Sequence, residues 1–302
     1  MGKNNYLSIP NFVPAKRNKK KIIKSVAYYA VGVCLSLLFI LPLLYMLASS
    51  TKTEEQIAYA SGTIMMFIPD FSTIGHVFDN YAALFERTNF LRYALNSLIY
   101  AAIIIVLNVI VNGLAGYVLA KFDFPGKKFF TFFILFLIVV PVETSIIPLY
   151  TIARDMLGLK KELSFFAVVF PGVISIFNIF LYTQFFTSIP KEFEEAMHID
   201  GSSRVRIFFD LILPLSKPII ATTAVFTFIG VWNDYVWPSM VLSNNKDWWT
   251  VQSSLLTLQA DPATTSGQWM AALVMTTLPI FIVYAAAQKY IVKGFGTAGL
   301  KL

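Results

Sequence analysis

Apolar residues along this chain come in long unbroken runs rather than in the alternation of strands or the narrow stripes of soluble helices. A helix needs about 20 apolar residues to cross a membrane, and six runs approach or exceed that length: Val26–Ala48, Ala94–Leu119, Phe129–Ile152, Phe165–Phe186, Ile219–Val241 and Met270–Ile291. No strand alternation, low-complexity stretch or strong internal repeat interrupts them. The pattern predicts an all-α membrane protein with six spans. The first run is too long for the core of a signal peptide and lacks a convincing cleavage site, so it reads as an uncleaved anchor.

Polar segments between the runs set the predicted orientation. Lys and Arg concentrate on the cytoplasmic side of membrane proteins. Residues 1–25, the loop around "KFDFPGKK", residues 187–218 and the end from Lys289 carry seventeen of the basic residues, against seven on the opposite side. Both termini are expected to be cytoplasmic. The expected organisation is a basic N-terminus (1–25), a first span (26–48), an outward segment (49–93), a five-helix core (94–291) with a cytoplasmic loop at 187–218, and a short tail (292–302). Within 49–93, "NYAALFERTNFLRYALNS" reads as a short amphipathic helix leading into the second span.

Composition agrees. The chain has 302 residues, 57% of them hydrophobic and 14% charged, where soluble domains carry about 25% charged residues. The net charge of +7 is accounted for by topology, so nucleic acid is not an expected partner; the basic N-terminus can touch anionic lipid. A single cysteine, Cys34, excludes an intrachain disulfide and reads as a small buried apolar residue.

Several spans carry helix breakers. Pro141 and Pro148 lie in the third, Pro171-Gly172 in the fourth, Gly230 in the fifth and Pro279 in the sixth. Proline removes a backbone hydrogen bond, and such interruptions are tolerated where neighbouring helices or a cavity satisfy the freed groups. Bends around a translocation path and ordinary packing are both open readings.

The segment "TSIPKEFEEAMHIDGSSRVRIFFDLILPLSKP" asks for an explanation, because it is too short to span and lies between two spans. Ser188 is a candidate N-cap and Pro190 suits a first turn. Glu192, Glu194 and Glu195 suit the positive end of the helix dipole, and Gly201 suits a left-handed stop. About three turns are expected. Phe193, Ala196 and Met197, at i, i+3 and i+4, share a face that water gives no reason to keep but a groove in a partner protein does.

Here the residues carry a resemblance. "EAMHIDG", nine residues, then "LILP" is similar to the EAA loop of the membrane subunits of ABC importers. Glu195, Ala196, Met197, Gly201, Leu211, Leu213 and Pro214 occupy the motif positions, with Met197 standing where the family has a second Ala. "YALNSLIYA", "LAGYVLAKFDFPGKK", "VPVETSIIPLY", "WNDYVWP" and "QKYIVKGFGTAGLKL" resemble the carbohydrate-uptake branch, in particular the second permease subunit of maltose-type systems. The resemblance runs from about Asn80 to the end.

It implies a type I importer permease fold in the cell membrane, multi-pass, with a second homologous permease, two cytoplasmic ATP-binding cassette subunits and an extracytoplasmic sugar-binding protein as partners. It implies that the helix ending at Gly201 is a coupling helix seated in a cleft of the ATPase, with Phe193, Glu195, Ala196, Met197, Asp200, Gly201, Leu213 and Pro214 as its coupling residues. It also implies that the tail, with Gly294, Gly296 and Gly299, reaches between the two ATPases, although this Gly-rich ending departs in detail from the family's.

Absent chemistry narrows the function. No G-x-x-x-x-G-K-[ST] phosphate loop exists, so ATP and Mg²⁺ are expected at a partner and no cofactor on this chain. His76 and His198 are far apart and on opposite predicted sides, so no metal site is expected. No nucleophile or acid–base cluster marks a catalytic site.

Two acids fall within spans, Glu143 and Asp234, at similar predicted depth in the outer half. Intramembrane acids are functional candidates by default. Asp234 lies among Trp232, Asn233, Tyr235 and Trp237, residue types that suit the apolar faces and hydroxyls of sugar rings. Glu143, Asn233, Asp234 and Tyr235 are therefore the substrate-path candidates; the alternative for Asp234 is capping a helix end in an interfacial aromatic belt.

The leading reading is a non-enzymatic sugar-importer permease. An ABC permease for a non-sugar solute is the alternative. An ion-coupled secondary transporter would show paired inverted repeats, and a membrane enzyme a catalytic cluster.

Overall fold

The computed structural model describes residues 19–71 and 77–298. Among these, all regular structure is helical. In chain order the helices are α1 (Lys19–Ser49), α2 (Glu54–Ala60), α3 (Asp79–Arg87), α4 (Phe90–Lys121), α5 (Lys127–Val139), α6 (Ile146–Thr151), α7 (Ser164–Val173), α8 (Ile176–Thr187), α9 (Glu192–Ile199), α10 (Arg204–Ile207), α11 (Leu213–Leu215), α12 (Lys217–Asn233), α13 (Val236–Val241), α14 (Val251–Ala260) and α15 (Ser266–Ala298). Residues 1–18 of the basic N-terminus, His76 and the last four residues, Gly299 among them, lie outside the described set.

Three helices are continuous and apolar enough to cross a membrane: α1 from Lys24, α4, and α15 as far as Lys289. The other three expected spans are bent or cut. The third turns by 97° between α5 and the segment Val142–Met156, because Pro141 cannot extend the ladder of α5. The fourth bends by 42° between α7 and α8, just past Pro171-Gly172. The fifth stops at Asn233, and α13 resumes at Val236. Gly230 and Pro279 lie within continuous helices. The stretch Arg204–Leu215 lies at 83° to α12, so it approaches the bundle from the side. The single amphipathic helix expected before the second span is two elements, α3 and the start of α4, parted at Thr88–Asn89.

Helix α4 is the axis of the bundle. Its 32 residues span about 48 Å at 1.5 Å per residue, and all three hydrophobic clusters draw on it. Phe90 and Ala101 pack with Phe228, Trp232 and Val251. Tyr100 and Ile104 pack with Ala167, Val169 and Trp237. Tyr117 packs with Tyr182, Phe186 and Phe208. Small residues permit this crowding. A Cβ on Gly116 would lie 3.1 Å from the Thr183 amide nitrogen and 2.6 Å from the Tyr182 Cβ, the latter closer than packed Cβ atoms come. Lipid is as apolar as leucine, so close approach and hydrogen bonds hold such helices together.

By contrast, α1 touches α15 and the turn Ile64–Phe67 but leaves its outer side chains exposed. Cys34 is one of these, and not the buried residue expected. Helix α5 has no buried side chain. Exposed apolar surface on this scale is ordinary for a face against lipid or another membrane subunit.

The segment after α1 is stapled to the α14–α15 turn. Arg87 donates to the Ala263 carbonyl and the Gln268 amide oxygen, each at 2.9 Å, and to Asp261. Ser266 donates through its amide and hydroxyl to Glu54 at 2.8 and 2.7 Å. Beneath, Lys52 Nζ donates to the Met65 carbonyl at 2.6 Å; burial pushes this amine below the usual lysine range, and the charge of Asp70 works against the shift.

Candidate functional site

Helix α9 forms from a short run with three acids in its first turn, Glu192, Glu194 and Glu195, which complement the exposed amides there. It is eight residues long and begins after Lys191, so it is shorter than expected. Ser188 does not cap it; its hydroxyl donates back to the Phe185 carbonyl and closes α8. Its C-terminus is a Schellman stop: the Ser202 amide donates to Met197 O and the Gly201 amide to His198 O, both at 3.0 Å. Gly201 has φ +79°, which a residue without a Cβ adopts at no steric cost. Ser203 then caps α10 through the Arg206 amide.

The helix has two dissimilar faces. Phe193, Glu195, Ala196, His198, Ile199 and Asp200 are exposed, with Ile199 at 86% and Phe193 at 53%. Met197, expected beside Phe193, turns inward and is half-buried against the Tyr117–Tyr182–Phe208 cluster. Ile199, absent from the sequence expectation, takes its place on the outside. Leu213 is half-buried and Pro214 exposed, both in the α11 turn.

The inward acid is Glu194, and neither the sequence pattern nor its spacing singled it out. Its carboxylate lies 3.0 Å from Lys121 Nζ, with side-chain exposures of 6% and 4%. Tyr117 OH donates to the second carboxylate oxygen at 2.9 Å, and Lys121 also donates to the Ile189 carbonyl at 2.5 Å. The end of α4 therefore holds both α9 and the strap that leads into it.

A second concave region lies inside the bundle, around the helix breaks. Two adjoining hollows of about 440 and 200 Å³ share Val142, Gly172, Val231 and Asp234 in their walls. The larger carries Asn108, Ser175, Asn178 and Thr227. These side chains repair the backbone at the α7–α8 break. Asn112 Nδ2 donates to the Val173 carbonyl at 2.8 Å, and its Oδ1 accepts from the Ser175 amide at 3.1 Å. Asn108 donates to the same carbonyl at 3.1 Å and accepts from Asn178 Nδ2 at 2.8 Å, which also reaches Thr227. A bent helix thus keeps its polar backbone satisfied beside a cavity.

Of the four expected path residues, Asp234 alone lines this groove. Its Oδ1 accepts from the Trp237 amide at 3.3 Å, so it also caps the restart at α13. Glu143 is exposed at the sharp bend, next to the lining residue Val142. Asn233 faces out and accepts from Gln252, while Tyr235 is exposed. Trp232 and Trp237 are not free to stack on a ligand. Both are buried, and their indole N–H groups donate to Thr276 O and Ala167 O at 2.9 Å.

Residues 113–296 match the family model described as the binding-protein-dependent transport system inner membrane component. The chain belongs to this family. The permease is 29% identical over 87% of its length to the arabinooligosaccharides transport system permease protein AraQ of Halalkalibacterium halodurans, covering 91% of that protein. It is 30% identical, over 87% of its own chain and 84% of the other, to the diacetylchitobiose uptake system permease protein NgcG of Streptomyces coelicolor. A 36% match over 69% of the permease and 74% of the relative is to the sn-glycerol-3-phosphate transport system permease protein UgpE of Pectobacterium atrosepticum. In fold it resembles a chain from the crystal structure of a bacterial ABC transporter involved in the import of the acidic polysaccharide alginate, with a TM-score of 0.75 over 92% of the permease and 100% of that chain, at 24% identity. The permease is thus a membrane protein with the ABC importer permease fold. Its last helix runs through Gly294 and Gly296 to Ala298, where a separate tail was expected from residue 292.

Proposed function

We propose that this chain is one of two permease subunits of an ATP-driven sugar or oligosaccharide importer. The observation that carries the reading is α9, a two-turn helix fixed by Glu194 on its inner side while Phe193, Ala196 and Ile199 stay exposed. An apolar helix face held rigid and left uncovered suits a groove in another protein. In this reading that protein is a cytoplasmic ATP-binding cassette subunit, which binds ATP and Mg²⁺ and supplies the hydrolysis; the permease itself is not an enzyme and carries no cofactor or metal. Both termini are cytoplasmic, Gly294, Gly296 and Gly299 reach toward the ATPase pair, and an extracytoplasmic binding protein delivers cargo.

The groove is the chain's half of the path. The described residues lining it include Asn108, Asn178, Thr227 and Asp234 but no Lys or Arg. This composition suits a neutral, hydroxyl-rich cargo better than a phosphate or uronate, which calls for cationic donors. The sugar uptake named for the AraQ and NgcG relatives supports the same class. The UgpE relative favours a glycerol-phosphate-like cargo as the second reading.

The test is extraction of the tagged permease from its native membrane, with and without Ile199→Glu. An ATPase and a second permease should accompany the native chain, and the ATPase should be lost from the variant. Reconstituted vesicles should then take up a neutral oligosaccharide in an ATP-dependent manner. Uptake of glycerol phosphate in preference would support the second reading, and transport by the chain alone without ATP would overturn both.

A further inference from the structure

The outer face of α9 explains docking but not how motion of α9 reaches the groove. The only charged pair among the described residues with both side chains under a tenth exposed is Lys121–Glu194, and it sits at the one place where α9 meets a helix that runs through the whole bundle. We propose that Glu194, Lys121 and Tyr117 form a clamp that makes α9 and α4 a single moving body, so that the ATPase stroke enters the bundle through α4. Glu194 is a positioning residue in this scheme, distinct from the outward Glu195.

Three contacts fix the joint from different directions. Tyr117 OH and Lys121 Nζ reach separate oxygens of one carboxylate, at 2.9 and 3.0 Å. Lys121 reaches the strap carbonyl of Ile189 as well. Around them Tyr117 packs on Phe122, Phe186 and Phe208 with ring centroids 5.5, 6.5 and 5.5 Å apart, and Arg204 of α10 lies over the Phe122 ring at 5.4 Å. This shell keeps water out, and a buried charge without its partner is strongly unfavourable. Sliding α9 along α4 would strand one of the two charges; moving both together strands neither. From Lys121 the same helix carries Asn112 and Asn108, which hold the α7–α8 break at the groove wall. One rigid helix thus joins the coupling surface to the bend.

The proposal rests on the importer reading, and the experiment separates the two. In a Cys34→Ser background, spin labels are placed at Lys191, before α9, and at Val106, exposed on α4. The full importer is then measured nucleotide-free and with ATP trapped. The Lys191–Val106 distance should be the same in both states, while a Lys191 to Phe226 distance, taken to α12, should change. In parallel, Glu194→Gln should keep its ATPase on co-purification and still hydrolyse ATP. Its solute uptake per ATP should fall about tenfold, within the range for groups that carry coupling between sites. Exchanging the pair for Lys121→Met with Glu194→Met, which leaves no lone charge, should recover part of that ratio. A Lys191–Val106 distance that differs between the two states overturns the clamp, with no disruptive substitution involved. Unchanged uptake per ATP in Glu194→Gln also overturns it, as does loss of the ATPase from that variant, which would place Glu194 in docking. If no ATPase accompanies even the native chain, the importer reading fails instead.

Discussion

Asn112→Leu tests whether side chains of α4 hold the α7–α8 break. Leucine has nearly the shape of asparagine, so packing is little changed. Three contacts vanish: the donation to Asn108 O, the acceptance from Ser175 N, and the donation to the Val173 carbonyl. The carbonyl keeps Asn108 Nδ2 at 3.1 Å, but the Ser175 amide has no other protein acceptor in view. An orphaned buried donor costs about 1–3 kcal/mol, and hydrogen bonds between membrane helices average about 0.6 with a ceiling near ~1.7 kcal/mol. Ser175 borders the groove, where water reaches, so a loss of about 1–2 kcal/mol follows. At about 2–4 °C per kcal/mol, the melting temperature in detergent should drop by about 2–8 °C. Asn108→Leu removes two contacts; Asn112 still holds Val173 O, but Thr227 takes only one of the two Nδ2 N–H groups of buried Asn178, and the other loses its acceptor. It should cost a similar amount. Thermal unfolding followed by size-exclusion of the fluorescent fusion measures both, and an unchanged melting temperature in either would refute the assignment.

Two further outcomes follow from the same geometry. Gly116→Leu forces a Cβ against the Tyr182 Cβ and the Thr183 backbone, which cannot swing aside, so overpacking of about 1–3 kcal/mol is expected. Gly113→Ala meets the end of the Phe208 ring at 3.2 Å and should lose less in the same melt. Asp234→Asn keeps an acceptor for the Trp237 amide, so its melting temperature should match the native permease while KM for cargo rises several-fold; an unchanged KM would leave Asp234 as a helix cap alone.

Much of the architecture was legible in the order of residues. Apolar runs long enough to cross a membrane leave no soluble alternative, and the Lys and Arg imbalance between loops gives an orientation to test. Pro141 and Pro171-Gly172 marked two of the breaks, because loss of a backbone donor is a local property. Gly201 marked the end of α9 for a similar reason: only the local backbone decides where a left-handed residue is needed.

What the tertiary structure decided depends on partners far along the chain. Glu192, Glu194 and Glu195 are equivalent helix-start acids by sequence, and an eight-residue helix has too short a period to fix which face turns inward. Tyr117, 77 positions before Glu194, and Lys121 choose Glu194. The same is true of Met197, expected on the outer face but turned inward, and of Ile199, which takes its place outside. Trp232 and Trp237 carry ring and N–H chemistry that suits a sugar, yet their N–H groups close on Thr276 and Ala167. Asn108, Asn112 and Asn178 look like stray polar residues in apolar runs until folding places them on the α7–α8 break. Hydropathy and helix signals are sums over neighbours in sequence, so they determine spans and stops. A hydrogen bond or ion pair in a membrane bundle is a contact between helices, and only their packing around α4 selects it.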